Sequence, residues 1–153
     1  MAKIHVECLP DETLVKKLGV TKKMVIHHTG KSRVFHNLKK SQNEIGMVDE
    51  DPGSPKTDYE RNLKFIEEAH GIKRYSDKQG NKILVLNIKL EDWIISICKA
   101  AKIDITKFGL PDTPNKLHDI MNYRLQNFEN LIDHLKYNNN AGIIQLQSWL
   151  TLN

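Results

Sequence analysis

The chain has 153 residues, of which 39% are hydrophobic and 27% are charged. This length suits one domain, and the apolar content is well above that of chains that stay disordered. The longest apolar runs fall far short of the roughly 20 residues that a membrane-spanning helix needs, so a membrane span is excluded. A formal charge of +4 permits a polyanionic partner without requiring one.

The N-terminal residues and the cysteines indicate a cytoplasmic protein. Glu7 interrupts the N-terminal segment before an apolar stretch could form, so we expect no secretory signal. Cys8 and Cys98 lack both Cys-x-x-Cys spacing and a histidine at ligand spacing. We therefore predict two buried free thiols rather than a disulfide or a zinc site.

The first third of the chain alternates apolar strands with amphipathic helices. The predicted elements are a strand over 3–9, a helix over 11–18, a strand over 24–28, a helix over 32–40 and a strand over 45–49. Helices of about ten residues between strands are typical of right-handed crossovers, which produce a parallel sheet. We therefore predict an α/β fold with a compact, mostly parallel, Rossmann-like sheet flanked by helices.

The middle of the chain predicts one antiparallel pair. A turn-rich loop over 52–57 precedes a predicted helix over 58–70, whose apolar side chains we expect to face inward. Two apolar segments, 71–75 and 82–88, flank the turn sequence Gln79-Gly80-Asn81. This pattern indicates a β-hairpin that joins the sheet.

The remainder is predicted to be helical, with apolar residues at helical spacing from Leu90 onward and a last short helix near the end. We expect these helices to pack on the sheet. The predicted organisation is one domain overall, with an α/β core over 1–95 and a helical C-terminal extension over 96–153.

Acidic residues follow two of the predicted strands. Glu7 ends the first strand, and Asp49 and Asp51 end the third, where spacing of two would put both carboxylates on one side of an extended chain. Because the carboxyl ends of parallel strands meet at one edge of the sheet, we expect the three to converge. Carboxylate oxygens without His or Cys favour Mg²⁺ or Mn²⁺. The alternative is that Asp49 and Asp51 open the Asp-Pro-Gly-Ser turn.

Basic residues are dense in the first half of the chain. Lys31 enters the second helix after Gly30, where a helix N-terminus can hold a phosphate, although capping by Ser32 also explains the sequence. His27 and His28 end the second strand, and we expect neighbouring groups to satisfy them. Most of the basic side chains are expected on solvated faces, and some could line a track for a nucleic-acid backbone.

These residues together resemble the Toprim domain of topoisomerases, primases, small RNA-maturing nucleases and ATPase-associated defence nucleases. The resemblance spans roughly residues 3–95 and rests on Glu7, the Gly-Lys-Ser helix entry and Asp49-x-Asp51. It implies a parallel four-stranded sheet with flanking helices. It also implies that Glu7 is a general acid or base and that Asp49 and Asp51 bind Mg²⁺, with Glu7 as a third ligand.

A second likeness lies at the start of the helix after the last core strand. Leu90-Glu91-Asp92-Trp93 is similar to the Pro-x-x-Glu-x-Trp helix start of stand-alone Toprim-like nucleases. The likeness implies that Glu91 faces the same metal edge. The alternative is an acidic residue that complements the helix dipole.

The first functional hypothesis is a Mg²⁺- or Mn²⁺-dependent nuclease acting on DNA or RNA, with Lys31 on a phosphate. The second is a non-catalytic nucleic-acid-binding or interaction subunit that works with an ATPase. Cys8 favours it, because many Toprim relatives have glycine directly after the first-strand glutamate. A third, a haloacid-dehalogenase-type phosphatase with Asp49 as nucleophile, conflicts with the two strands that precede Asp49. The oligomeric state stays open.

Overall fold

A six-stranded sheet organises the protein, for which a computed structural model describes residues 2–151. The strand order is β2-β1-β3-β6-β5-β4. The first four strands in this order are parallel, and β5 and β4 are antiparallel to their neighbours. The predicted α/β fold with a mostly parallel sheet is confirmed. The strands are β1 (Ile4–Val6), β2 (Val25–His27), β3 (Ile45–Asp49), β4 (Lys64–Ala69), β5 (Ile72–Ser76) and β6 (Lys82–Leu86).

Helices flank this sheet and form most of the C-terminal third. Short 3₁₀ turns lie at Lys22–Met24, Ile105–Phe108 and Met121–Tyr123. The α-helices of the described residues are α1 (Leu9–Lys17), α2 (Lys31–Leu38), α3 (Asp58–Arg61), α4 (Leu90–Ala100), α5 (Pro114–Ile120), α6 (Leu125–Tyr137) and α7 (Ala141–Thr151). None of the helices described is long and apolar enough to cross a membrane.

The sheet buries a different apolar cluster on each face, because successive strand residues point to opposite sides. Ile4 and Val6 of β1 belong to the larger cluster, which α1, α4 and the C-terminal helices complete. The smaller cluster lies under α2 and includes Val34 and Val48. It is tightly packed at Gly46, where a Cβ atom would lie 2.7 Å from the Cδ1 atom of Leu38.

The predicted helix over 58–70 is wrong. Helix α3 ends after four residues, and Lys64–Ala69 forms the edge strand β4. Strands β4 and β5 join through His70 and Gly71, whose φ angles of 52° and 76° are those of a tight two-residue hairpin turn. The helical spacing of apolar residues misled the prediction, since Phe65, expected to be buried, is 53% exposed.

Two further expectations concern strand ends. The hairpin between β5 and β6 is confirmed, with Ile72 opposite Leu86 at its open end. Strand β1 stops at Val6 rather than at residue 9, because α1 already begins at Leu9. Glu7 and Cys8 therefore form a short link between a strand and a helix, at the carboxyl edge of the sheet.

Candidate functional site

A cleft of about 270 Å³ lies at the carboxyl edge of the parallel strands. The five residues singled out in the sequence all line it, although they come from four separate parts of the chain. Cys8, Gly30, Lys89 and His118 complete the wall. The sequence-predicted residues in the cleft are Glu7, Lys31, Asp49, Asp51 and Glu91.

Glu7 and Asp49 are neighbours because β1 and β3 pair in parallel, with Val6 opposite Met47. The backbone N–H of Asp49 donates to the Oε1 atom of Glu7 at 3.4 Å. Burial, reinforced by the negative charges of Asp49 and Asp11, raises the pKa of Glu7 to about 9. Burial and then the charge of Glu91 raise the pKa of Asp49 to about 6. The two carboxyl groups therefore disfavour simultaneous ionisation.

Asp11 is a member of this cluster that the sequence did not single out. It lies in the first turn of α1 and is 1% exposed. Burial, followed by the charge of Asp49, raises the pKa of its carboxyl group well above the usual range. The Cys8 thiol and the Glu7 backbone partly oppose this shift, but neither reaches hydrogen-bond geometry with the carboxylate oxygens. In the sequence, Asp11 looks like an ordinary acidic residue at a helix start.

Three oxygen atoms of this cluster are buried and lack a hydrogen-bond partner among the described residues. They are the Oε2 atom of Glu7 and both carboxylate oxygens of Asp11. Unpaired buried carboxylate oxygens are costly, and a hard divalent cation satisfies such atoms. The carboxylates that line the cleft, Glu7, Asp49, Asp51 and Glu91, offer the oxygen donors that Mg²⁺ or Mn²⁺ prefers. Residues 2–151 contain no ready-made cage of three His, Cys, Asp or Glu side chains. Mg²⁺ commonly takes its remaining ligands from water and substrate phosphates.

Asp49 also has a structural role. Its Oδ1 atom accepts a hydrogen bond from the backbone N–H of Leu90 at 2.9 Å, at the start of α4. This contact satisfies one of the free N–H groups of the helix and fixes the end of β3 against α4. Substitution of Asp49 is therefore expected to affect stability as well as metal binding.

Asp51 reaches the cleft by a different route from the one predicted. Strand β3 ends at Asp49, and Asp51 has a φ angle of 46°, so the alternation of an extended strand does not extend to it. The Ser54 hydroxyl donates to its Oδ2 atom at 2.6 Å. Asp51 thus opens the turn, as the alternative interpretation proposed, and also lines the cleft.

Glu91 is buried in the first turn of α4 and contacts a histidine that the sequence analysis missed. Its Oε1 atom lies 2.6 Å from the Nδ1 atom of His118 in α5. The His118 side chain is 66% exposed, so its ring faces the open side of the cleft. No local pattern links the two residues, which are 27 positions apart.

Lys31 begins α2 and lies at the edge of the cleft. Its Nζ atom donates to the backbone carbonyl of Glu50 at 3.0 Å and lies 3.3 Å from the Oε2 atom of Glu60. These contacts hold the ammonium group in place. A phosphate in the cleft would have to share Lys31 with Glu60.

Cys98 is a buried free thiol as predicted, but the prediction for Cys8 is wrong, because this free thiol lines the cleft and is only half-buried. Burial raises the pKa of the Cys8 thiol. The φ angle of −154° at Cys8 is extended backbone that any residue adopts, so the conformation here does not require glycine. Any effect of cysteine rather than glycine on ligand binding at position 8 therefore comes from the side chain and not from the backbone conformation.

The histidines at the end of β2 make contacts outside the cleft. The Nε2 atom of His28 lies 2.9 Å from the Nδ1 atom of His5, and the Nε2 atom of His5 lies 2.9 Å from Glu44. His27 lies 3.7 Å from Glu12. Neighbouring groups thus contact both histidines, as expected.

Comparison with protein-family models, with curated proteins and with solved structures gave no match for this chain.

Proposed function

We propose that this protein is a Mg²⁺- or Mn²⁺-dependent nucleic-acid phosphodiesterase of the Toprim kind. The observation that carries the proposal is the convergence of Glu7, Asp49 and Asp51 in one cleft at the carboxyl edge, where the buried Oε2 atom of Glu7 lacks a partner among the described residues. The four parallel strands with flanking helices agree with what the resemblance implies. Open α/β sheets bind their ligands at this edge.

The residues that would hold the metal are Asp49 and Asp51, with Glu7 as a third ligand in the same cleft. Asp11 is buried outside the cleft wall and adds negative charge nearby. A bound metal would supply positive charge to a phosphodiester and lower the pKa of a coordinated water molecule. Glu7 carries a proton near neutral pH in the metal-free protein, because its pKa is raised to about 9. A cation bound beside Glu7 would lower this pKa, so that the carboxyl group could exchange a proton with the attacking water or the leaving oxygen as a general acid or base.

Two further groups position the substrate. Lys31 lies at the helix start facing the cleft, where an ammonium group and backbone N–H groups favour a phosphate. Glu91 orients the ring of His118 through the 2.6 Å contact, which leaves the other ring nitrogen free for water or substrate. Lys31 and His118 would thus contribute a cationic group and a donor group to the same cleft as the carboxylates.

The second candidate function is a non-catalytic nucleic-acid-binding subunit that works beside an ATPase. It is favoured by the Cys8 side chain in the cleft wall, at the position where many Toprim relatives have glycine. A side chain there occupies space that a phosphate backbone would otherwise approach.

Incubation of DNA and of RNA with Mn²⁺ or Mg²⁺ tests the first proposal. We expect nicking or degradation that Glu7→Gln abolishes, because glutamine keeps the volume but cannot transfer the proton. Glu68→Gln, an exposed position on β4, is the matched control and should retain activity. Activity unchanged in Glu7→Gln would refute the catalytic role.

Metal titration calorimetry provides an independent readout. Wild type should bind Mn²⁺ weakly, and the double variant Asp49→Ala, Asp51→Ala should not bind it at this site. The second function is favoured if the protein binds metal and nucleic acid but cleaves neither DNA nor RNA, with or without an ATPase partner. A gain of cleavage in Cys8→Gly would then identify the thiol as the obstacle.

A further inference from the structure

A groove extends from the candidate site across the face of the sheet that α2 covers. A cavity of about 310 Å³ shares Lys31 with the cleft, so the two are adjacent. A second cavity of about 490 Å³ shares Leu63 with the first. The cleft and both cavities therefore form one series, which we call the α2-side groove.

Three aromatic side chains, Phe35, Tyr59 and Tyr75, line the cavities of this groove, and Phe65 lies beside Tyr75. The rings of Phe35 and Tyr59 lie 5.2 Å apart, and those of Phe65 and Tyr75 meet edge-on at 5.6 Å. Tyr75 lines the cavity next to the cleft and Tyr59 lines the outer one. Phe65 is 53% exposed beside Tyr75. Phe35 is buried in the core, whereas Tyr59 and Tyr75 are partly exposed in the cavity walls and offer rings on which bases can stack.

Several lysines of the groove carry charge that no protein acid neutralises. Two acids of the groove form ion pairs: Glu60 pairs with Lys31, and Glu50 pairs with Lys73 at 2.8 Å. Asp77 accepts a hydrogen bond from the Tyr59 hydroxyl, and Asp58 pairs with Arg61. Within residues 2–151, the lysines that line the two cavities beyond the cleft without an ion-pair partner are Lys39, Lys56 and Lys78.

We infer that the α2-side groove binds single-stranded nucleic acid and leads it to the cleft. Stacking requires bases that are not paired within a duplex, so rings such as Tyr75 select a single strand. Lys56 and Lys39 contact the phosphates that run beside those bases. The inference rests on the proposed function, for which it specifies the substrate class.

Fluorescence anisotropy with short labelled oligonucleotides, in EDTA to prevent cleavage, tests the inference. The probes are single-stranded DNA, single-stranded RNA, a duplex and an abasic oligonucleotide with the same number of phosphates. We expect wild type to bind either single strand about tenfold or more tightly than the abasic probe, because base stacking adds to the phosphate contacts. Binding of the duplex should be weaker than that of the single strands.

Variants separate stacking from charge. Tyr75→Ala should weaken binding of the single strands about tenfold without changing binding of the abasic probe, and Tyr75→Phe should restore it. Tyr137→Ala, at a tyrosine that is 87% exposed outside the groove, is the matched control. Lys56→Gln should lower the slope of log affinity against log salt concentration by about one, the value for one lost phosphate contact, whereas Lys107→Gln should leave the slope unchanged. Because Lys56 is an exposed loop residue, this variant keeps the test decisive if Tyr75→Ala does not fold.

Equal affinity of wild type for abasic and normal strands would overturn the inference, as would a preference for duplex or no binding of single strands. If one of these results were obtained but wild type still cleaved duplex in Mn²⁺, only the groove inference would fail and the proposed phosphodiesterase activity would be retained. If wild type neither cleaved nucleic acid nor bound Mn²⁺, the proposed function would fail as well.

Discussion

Replacement of Glu7 by glutamine tests whether the carboxyl cluster carries an electrostatic penalty that a cation normally relieves. In the metal-free protein at pH 7, we expect Glu7→Gln to be more stable than wild type. Burial and the charges of Asp49 and Asp11 raise the pKa of Glu7 from 4.5 to about 9, so the folded protein keeps this carboxyl group neutral. The unfolded chain ionises it freely.

The magnitude follows from the proton equilibrium. Each tenfold preference for the ionised form in the unfolded chain favours unfolding by about 1.4 kcal/mol, so at pH 7 the penalty is about 3 kcal/mol. Glutamine removes this penalty. The position of the Oε2 atom of Glu7 has no hydrogen-bond partner in the described part of the chain, however, so the amide group of glutamine would be buried there without one. That loss offsets about 1–2 kcal/mol. The expected net gain is about 1–2 kcal/mol.

The pH dependence has a definite sign. A raised carboxyl pKa means that the folded state binds more protons than the unfolded state between pH 4.5 and about 9. Wild-type stability should therefore fall as the pH rises through this window, relative to Glu7→Gln. Below pH 4.5 both states are protonated, so the advantage of the variant should disappear. Added Mn²⁺ should stabilise wild type more than the variant, because the variant has lost a ligand.

Urea denaturation in EDTA at pH 4.5 and pH 7.5 measures these differences, with Glu68→Gln as the control at an exposed site. Circular dichroism gives the free energy of unfolding at each pH. If Glu7→Gln were destabilised by the same amount at both pH values, Glu7 would be ionised and held by a structural partner. That result would refute the argument from burial.

Three other substitutions test separate parts of the structure. Asp11→Asn should raise the melting temperature of the metal-free protein and weaken Mn²⁺ binding, and thermal melts with and without Mn²⁺ that match wild type would contradict this. Gly46→Ala should destabilise by about 1–3 kcal/mol in urea, because its Cβ would lie 2.7 Å from Cδ1 of Leu38; unchanged stability would mean that α2 shifts freely. Asn81→Ala should lower the free energy of unfolding by about 3 kcal/mol, since its buried amide donates to the carbonyls of Leu38 and Ser41, and a loss below about 0.5 kcal/mol would show that water replaces these bonds.

The part of the site that could be predicted follows from one rule about parallel strands. Glu7 and Asp49 end neighbouring parallel strands, and the carboxyl ends of such strands share an edge. Their proximity needed only the strand assignments, which apolar runs and intervening helices indicate well. The same rule placed Asp51 at this edge, but it assumed that the strand extends to Asp51, whereas the chain turns immediately after Asp49.

The part that could not be predicted depends on tertiary burial and on distant contacts. Asp11 looks like a helix-start acid until the packing of α1 shows that its carboxylate is buried. His118 meets Glu91 only because α5 packs against α4. The strand β4 was missed because its apolar residues also fit a helical period, and the deciding signal was the two-residue turn at His70 and Gly71.

The charge distribution distinguishes a structural carboxyl cluster from a ligand site. The chain has 23 Lys and Arg residues, so a structural need to neutralise Glu7, Asp11 and Asp49 could have been met by a basic side chain. Yet no Lys, Arg or His among residues 2–151 lies within ion-pair distance of any of these three carboxylates. Buried charges are normally paired or bound to metal. The raised pKa values of Glu7 and Asp11 mean that the metal-free protein avoids the cost of unpaired buried charge by favouring the protonated carboxyl groups, and a cation in the cleft is the alternative that the proposed function predicts.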